Sequence, residues 1–238
     1  MQLFFNPSIN SNTKEFTFDK SESKHIAKVL RKSEGDLLNI TNGKGVFFEV
    51  LILDSNPKKC MGKIITETPG DQLMYTLHLA VAPTKLNDRY EWFLEKATEI
   101  GITEITPILC DHSERKIIKL ERFEKKIQSA MKQSLKAYLP KLNKATTFND
   151  FLKLQKKNPQ QKLIAHCEET TKQSLKSVLK KRAHTTILIG PEGDFSIDEI
   201  NKSIGAGFIP VSLGKSRLRT ETAAVVVCHS VSFINEND

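Results

Sequence analysis

The 238 residues suffice for one large domain or two ordinary ones; 39% are hydrophobic and 27% charged, as in soluble globular proteins, and no run approaches the roughly 20 apolar residues of a membrane span. Lys and Arg outnumber Asp and Glu by 36 to 28, a net charge of +8 that suits a polyanionic partner through counterion release, although a lysine-rich solvated surface explains the charge alone equally well. Four scattered cysteines with no Cys-x-x-Cys pair argue against a zinc or redox motif, and MQLFFNPSIN lacks the basic stretch and apolar core of a secretory signal, so a cytoplasmic protein with no metal and no membrane partner is expected.

Residues 1 to about 70 read as β-rich. LFF (Leu3–Phe5), EFTFD (Glu15–Asp19), DLLNI (Asp36–Ile40), VFFEVLIL (Val46–Leu53) and KIITET (Lys63–Thr68) are short strand-like runs. NGKG (Asn42–Gly45) joins two of them as a hairpin, because Asn-Gly tolerates positive φ. One helical piece interrupts them, SESKHIAKVLRK (Ser21–Lys32), with Ile26, Val29 and Leu30 on one face. Short strands with one helix suggest a small barrel. TPGDQLM (Thr68–Met74) reads as a linker, which puts the division at residues 1–72 and 73–238.

Beyond it, strand-like runs alternate with helical ones. LHLAVAP precedes a helix from Asp88, ITPILC a helix from Leu120, LIAHC a helix from Thr171, TILIG a helix from Ser196, and PVSLG a helix from Thr220. Repeated strand–helix units imply an α/β fold with a mostly parallel sheet covered on both faces. Asp88 with Glu91, and Ser196 with Glu199, match capping boxes, and Gly101 ends a helix. KLQKKNPQQK (Lys153–Lys162) is the most loop-like polar stretch. Phe123, Ile127, Met131, Leu135 and Tyr138 recur at helical spacing and are expected in the core.

The two C-terminal turns carry the most chemistry. Gly190 and Gly193 of GPEGDFS allow unusual backbone angles, and Pro191 stiffens the approach. Glu192 and Asp194 in that turn disfavour a phosphate pocket, and no Walker lysine or G-x-G-x-x-G pattern suggests ATP or NAD. A cationic, phosphate-free nucleoside suits the local charge better. In LGKSRLRTETA, Lys215, Arg217 and Arg219 precede a helix start that itself prefers anions such as Glu221. Cations beside such a turn suit a nucleic-acid backbone or a reacting base. The helix from Glu221 to Phe233 reads as buried core or a subunit interface. Arg115 follows a strand and lies at the same putative sheet edge, whereas His112 beside Asp111 has no nucleophile near it.

GPEG (Gly190–Gly193) followed by LGKSRLRTETA (Leu213–Ala223) resembles the signature of the ribosomal RNA small-subunit methyltransferase E family of the SPOUT superfamily. HIAKVLRKSEGD, SERK, ERF and KQSLKAYLP extend the resemblance over almost the whole chain. Two positions depart from it: Asp194, where many relatives carry glycine, and Lys136, where arginine is common. The resemblance implies a PUA-like RNA-binding β-barrel followed by a SPOUT α/β domain with a C-terminal trefoil knot, acting as a homodimer. It implies methylation of uracil N3 in 16S ribosomal RNA of the small subunit, with S-adenosylmethionine as donor. Ile189, Gly190, Pro191, Glu192, Gly193, Leu213, Gly214, Leu218, Thr220 and Ala223 would then hold the cofactor, and Lys28, Arg31, Lys32, Lys215 and Arg217 the RNA.

Uracil N3 must lose its proton, leaving negative charge on the ring, so a cation beside the base would assist. Arg219 is the first candidate and Arg115 the second, with Glu221 a candidate either to take the proton or to orient an arginine. The competing readings are a SPOUT ribose 2′-O-methyltransferase and a non-catalytic RNA-binding ribosome assembly factor.

Overall fold

Alternating apolar residues in the first seventy positions make five strands: β1 (Leu3–Phe5), β2 (Glu15–Thr17), β3 (Leu37–Thr41), β4 (Val46–Asp54) and β5 (Met61–Pro69). The structure, a computed structural model, describes residues 2–155 and 160–236; four positions of the polar Lys153–Lys162 stretch, 156–159, lie outside the described residues. Two compact units result, Met1–Gln72 with Met131–Leu139, and Leu73–Ala130 with Pro140–Asp238.

In the first unit the strand order is β1-β3-β4-β5-β2. The sheet is a curled half-barrel, with its ladder ending at β1 and β2. Ile40, Phe48, Val50 and Ile52 alternate inward and close over Phe4, Phe18 and Ile26. The Asn42–Gly45 hairpin forms, with Gly43 at φ 71° and Gly45 at φ 98°, and the Asn42 carboxamide accepts the Lys44 amide at 2.8 Å.

The helical piece is α1 (Lys20–Lys24), which runs into a π-helical turn over His25–Val29. There the Leu30 amide reaches back five residues to the His25 carbonyl, at 2.9 Å. The wider turn rotates the following side chains, so Ile26 is buried while Val29, expected beside it, is 66% exposed. Met131–Leu139 joins this unit: Ala137 carbonyl oxygen accepts from Thr41 Oγ1 at 3.0 Å, and Tyr138 bridges Lys44.

The second unit contains β6 (Thr76–Val81), α2 (Asn87–Ile100), β7 (Glu104–Leu109), α3 (Leu120–Gln133, whose last three residues belong to the first unit), β8 (Lys141–Leu142), β9 (Thr146–Thr147), α4 (Phe148–Gln155), β10 (Gln161–Ala165), β11 (Gln173–Ser174), α5 (Leu175–Val178), β12 (His184–Ile189), α6 (Ile197–Gly205), β13 (Ile209–Ser212) and α7 (Thr220–Asn235). The sheet runs β11-β13-β10-β12-β6-β7-β8, with β9 on β7, and every pairing is parallel.

Both faces are covered, which is why β6 and β12 read as continuous apolar runs. One face packs Ala80, Ile108, Ile164 and Leu188 against Phe148 and Phe151 of α4 and Ile200 of α6. α2 packs against α7, which in turn lies on β6 and β12. α7 buries Ala224, Val227, Cys228 and Val231, a helical stripe, while Phe233 stays 64% exposed.

Three expected details differ. Leu86, not Asp88, is the N-cap of α2; Asp88 lies within the first turn and pairs with Arg122 at 3.2 Å, and Glu91 pairs with the same guanidinium, so no capping box forms there. α3 stops at Gln133, and Leu135 takes φ 55°, which turns Leu135 and Tyr138 out of the core at 41% and 39% exposure. The segment from Thr171 makes a two-residue strand and one helical turn instead of a full helix. Ser196–Glu199 does form its reciprocal capping box, and Gly101 closes α2 at φ 131°.

Candidate active site

The C-terminal ends of β10, β12 and β13, adjacent strands, open onto a cavity of about 650 Å³. That is the size range of small-molecule sites, and the carboxyl edge of an open parallel sheet is where ligands bind. Nine of the ten expected cofactor residues line it, all but Gly193. Thr220 Oγ1 donates to the Gly190 carbonyl at 3.0 Å, so the two signature turns are tied directly to each other.

The glycines work by close approach instead of unusual backbone angles. A Cβ on Gly190 would sit 3.1 Å from two ring atoms of Phe195, and one on Gly193 would sit 3.0 Å from His112 Cβ. The left-handed positions are Gly214, at φ 136°, and Asp194, at φ 62°. Glycine suits the second position sterically. Aspartate holds it here through its side chain: Oδ1 accepts the Phe195 amide at 2.8 Å and Oδ2 the Cys167 amide at 2.6 Å. Asp194 thereby ties the turn after β12 to the turn after β10.

Asp194→Gly should therefore relieve backbone strain of about 1–3 kcal/mol while losing two hydrogen bonds of comparable worth. The melting temperature is expected to stay within a few degrees, whereas ligand affinity at the cavity falls severalfold as the Cys167 turn loosens. Thermal melts and calorimetric titration read the two effects separately; an unchanged affinity would show that the tie does not shape the cavity.

The same turn is braced from behind. His112 Nδ1 donates to the Gly193 and Asp194 carbonyls at 3.0 and 3.1 Å. Glu199, inside the capping box, also accepts the Asp111 amide at 3.0 Å; burial raises its carboxyl pKa against those two amide bonds. His112 is thus a strut of the turn, which gives its Asp111 neighbour no acid–base partnership to serve.

His166 lines the cavity from the end of β10, is 7% exposed, and has no hydrogen-bond partner on either ring nitrogen among the described residues. Burial, and then Lys172, hold its pKa below the ordinary histidine value of 6.5; burial also lowers that of His78. A depressed histidine contributes stability above its unfolded pKa and loses it as pH falls through the folded value. Melting temperature should fall between pH 7 and pH 5, and His166→Gln should flatten that fall. An equal slope in the variant would contradict the assignment.

A second cavity, about 600 Å³, is lined by Asp88, Arg89 and Trp92 of α2, Arg217, Leu218 and Arg219 of the loop, and Glu221 and Thr222 of α7. Arg217, Leu218 and Arg219 wall both cavities. Glu221 is 7% exposed; its Oε1 lies 3.8 Å from Arg89 Nε, and Oε2 has no hydrogen-bond partner among the described residues. Of the expected catalytic residues, the structure brings Arg219 and Glu221 together at this cavity. Arg115 lines neither: its Nε donates to the Thr84 and Lys85 carbonyls at 3.1 Å each, and Nη2 also bonds Lys85. Lys215 lines the first cavity and Arg217 both, whereas Lys28, Arg31 and Lys32 lie in the first unit, Arg31 at φ 55° and Lys32 facing Asp36 at 4.0 Å.

Arg89 and Trp92 are not among the residues the sequence singles out, and His166 reads there as structural. Arg89 and Trp92 stand three apart on a helix that spacing had already located, and the exposed tryptophan on it was the available signal. His166 gave none, since a histidine ending a strand is more often structural. Among the described residues no group of three His, Cys, Asp or Glu could hold a metal, and no helix is long and apolar enough to cross a membrane.

These features define an RNA-modifying α/β enzyme with a PUA-like N-terminal domain: residues 71–232 match the family model of an RNA methyltransferase domain, and residues 18–65 that of an RNA methyltransferase PUA domain. A ribosomal RNA small subunit methyltransferase E from Buchnera aphidicola is 32% identical over 223 residues, covering 89% of this chain and 85% of its own. The chain belongs to the ribosomal RNA small subunit methyltransferase E family. Among solved structures, a probable rRNA-methyltransferase from Porphyromonas gingivalis superposes with TM-score 0.91 at 38% identity, over 99% of this chain and 98% of that one. A ribosomal RNA small subunit methyltransferase E from Neisseria gonorrhoeae, bound to S-adenosyl methionine, superposes with TM-score 0.83 at 26% identity, again over 99% and 98%.

Proposed function

We propose that the protein transfers a methyl group from S-adenosylmethionine to N3 of a uridine in 16S ribosomal RNA. The observation that carries this reading is the single cavity formed by the two signature turns and tied across by Thr220 and Gly190. The residues fit the donor: backbone-rich walls at Gly190, Leu213 and Gly214, carboxylates at Glu192 and Asp194, and no phosphate-binding loop. The imidazole of His166 at the same wall, unpartnered among the described residues, also calls for a polar ligand.

S-adenosylmethionine supplies an electrophilic methyl group on a sulfonium, whose carbon–sulfur electrons leave with the sulfur. The protein's part is alignment and charge. Holding the reacting groups in line removes several kcal/mol of the barrier. Arg219, on the wall shared by both cavities, stabilises the negative charge that N3 deprotonation leaves on the ring. Glu221 receives the N3 proton in this scheme, and Arg115 acts indirectly, by clamping the Thr84–Lys85 loop.

Residues 1–72 serve as the RNA-binding part, with Lys28, Arg31 and Lys32 on phosphates, and residues 73–238 perform the transfer; the setting is the cytoplasm. The trefoil knot is part of the proposal, supported by the strand order: the chain leaves β12, crosses β10 and returns as β13 on its far side. A homodimer is likewise part of the proposal, supported by the exposed Phe233 side chain of α7.

Incubating the protein with methyl-labelled S-adenosylmethionine and unmodified small subunits should place label on one N3-methyluridine, read by nucleoside mass spectrometry. Label on ribose hydroxyls would favour the 2′-O reading. No transfer and no donor binding would leave a ribosome assembly factor.

A further inference from the structure

We propose that the second cavity is the pocket for the target base, with Trp92 as its stacking platform and Glu221, flanked by Arg89 and Arg219, reading the uracil edge. This inference rests on the methyl-transfer reading and names the substrate contact within it. The two cavities share the wall Arg217–Arg219, so a base in the second lies against whatever occupies the first. Trp92 is 43% exposed on α2, a side chain that is usually far more buried, and it lines an open, largely apolar hollow that also carries Asp88, Arg89, Arg217, Arg219 and Glu221. Unstacked RNA bases are bound on such aromatic faces, with arginines beside them.

The edge chemistry selects the base. Uracil presents two carbonyl acceptors with the N3–H donor between them. Glu221 supplies a buried acceptor whose Oε2 has no partner among the described residues, and Arg89 lies beside it at 3.8 Å from Oε1, with Arg219 on the same cavity. A carboxylate acceptor with arginine donors on the same cavity matches the edge of uracil. Cytosine, with an acceptor at N3, would set a lone pair against the carboxylate, and a buried polar pair so mismatched is strongly rejected. The carboxylate therefore both chooses the base and stands where the proton must go.

Trp92 is the only tryptophan of the chain, so its fluorescence reports the pocket without any turnover. Titration of the donor-loaded protein with a short single-stranded uridine-containing RNA should quench it, and a cytidine-substituted oligomer should quench it at least tenfold more weakly. In filter binding, Trp92→Ala should weaken uridine RNA affinity about ten- to hundredfold, while calorimetric donor affinity stays within about twofold. Glu221→Gln should keep the quenching and lose the preference for uridine over cytidine. Absent quenching, or unchanged RNA affinity in Trp92→Ala, would overturn the proposal, as would a Trp92→Ala protein that only halves in mass because the face joins two copies of the chain. A protein that quenches with uridine selectivity yet transfers no methyl group would overturn the methyl-transfer reading alone.

Discussion

Arg219→Ala is expected to lower kcat about 10²–10³-fold, the typical loss when one preorganised charge-stabilising group is removed from a reacting centre. The substitution is clean because the backbone of Arg219 does a separate job. Its carbonyl accepts the Ala223 amide at 2.8 Å to start α7, and alanine can keep that extended N-cap geometry of φ −70° and ψ 156°. No side-chain cap is lost, since none is made. Donor affinity should therefore hold within about twofold, and so should the melting temperature. Arg115→Ala should behave differently: loss of its bonds to Thr84 and Lys85 loosens a loop, so kcat and KM change together and the melting temperature drops. Single-turnover rates with calorimetric donor binding separate the two arginines. Unchanged turnover in Arg219→Ala would remove it from the chemistry.

Gly190→Val carries the second large effect, this time on binding. A first added carbon already meets Phe195 at 3.1 Å and Asp194 Oδ1 at 3.2 Å, tighter than ordinary contact. Branching adds two more carbons in a wall where Phe195 is 1% exposed and packed into the core with Phe148. Overpacking of that kind costs about 1–3 kcal/mol of stability. The larger consequence is displacement of the turn that carries Gly190 carbonyl oxygen, the acceptor for Thr220. Donor affinity should fall at least a hundredfold in calorimetry, with the protein still folded by circular dichroism. Gly214→Ala, at φ 136° but with open space around it, should cost stability by strain and affect affinity much less.

Much of this arrangement is legible in the chain because its signals are local. The apolar runs at Leu77–Val81 and Thr186–Ile189, followed by glycine, proline or charged turns, mark buried parallel strands, and Ser196 with Glu199 marks a helix start by short-range hydrogen bonds. The N-terminal strands follow from alternation in the same way. What spacing hides is anything set by a partner far along the chain. Asp88 matches a capping pattern, yet Arg122, thirty-four positions on, draws it into an ion pair. Val29 follows helical period, yet one π turn rotates it to the surface. Leu135 and Tyr138 continue the period of α3, but a left-handed residue ends the helix first. Gly190 and Gly193 look like conformational glycines and prove to be contact glycines, because Phe195 and His112 cannot be placed against them from sequence. The second cavity depends on α2 lying beside the start of α7, a tertiary fact with no local signal except an exposed tryptophan.

The most direct measurement is a crystal structure of the protein soaked with S-adenosylmethionine. The donor should occupy the roughly 650 Å³ space between the Gly190 and Leu213 turns, with main-chain groups of both turns in hydrogen-bond contact and Thr220 still bonded to Gly190. Density for the donor anywhere else, or turns that part so far that only one of them touches it, would contradict the account.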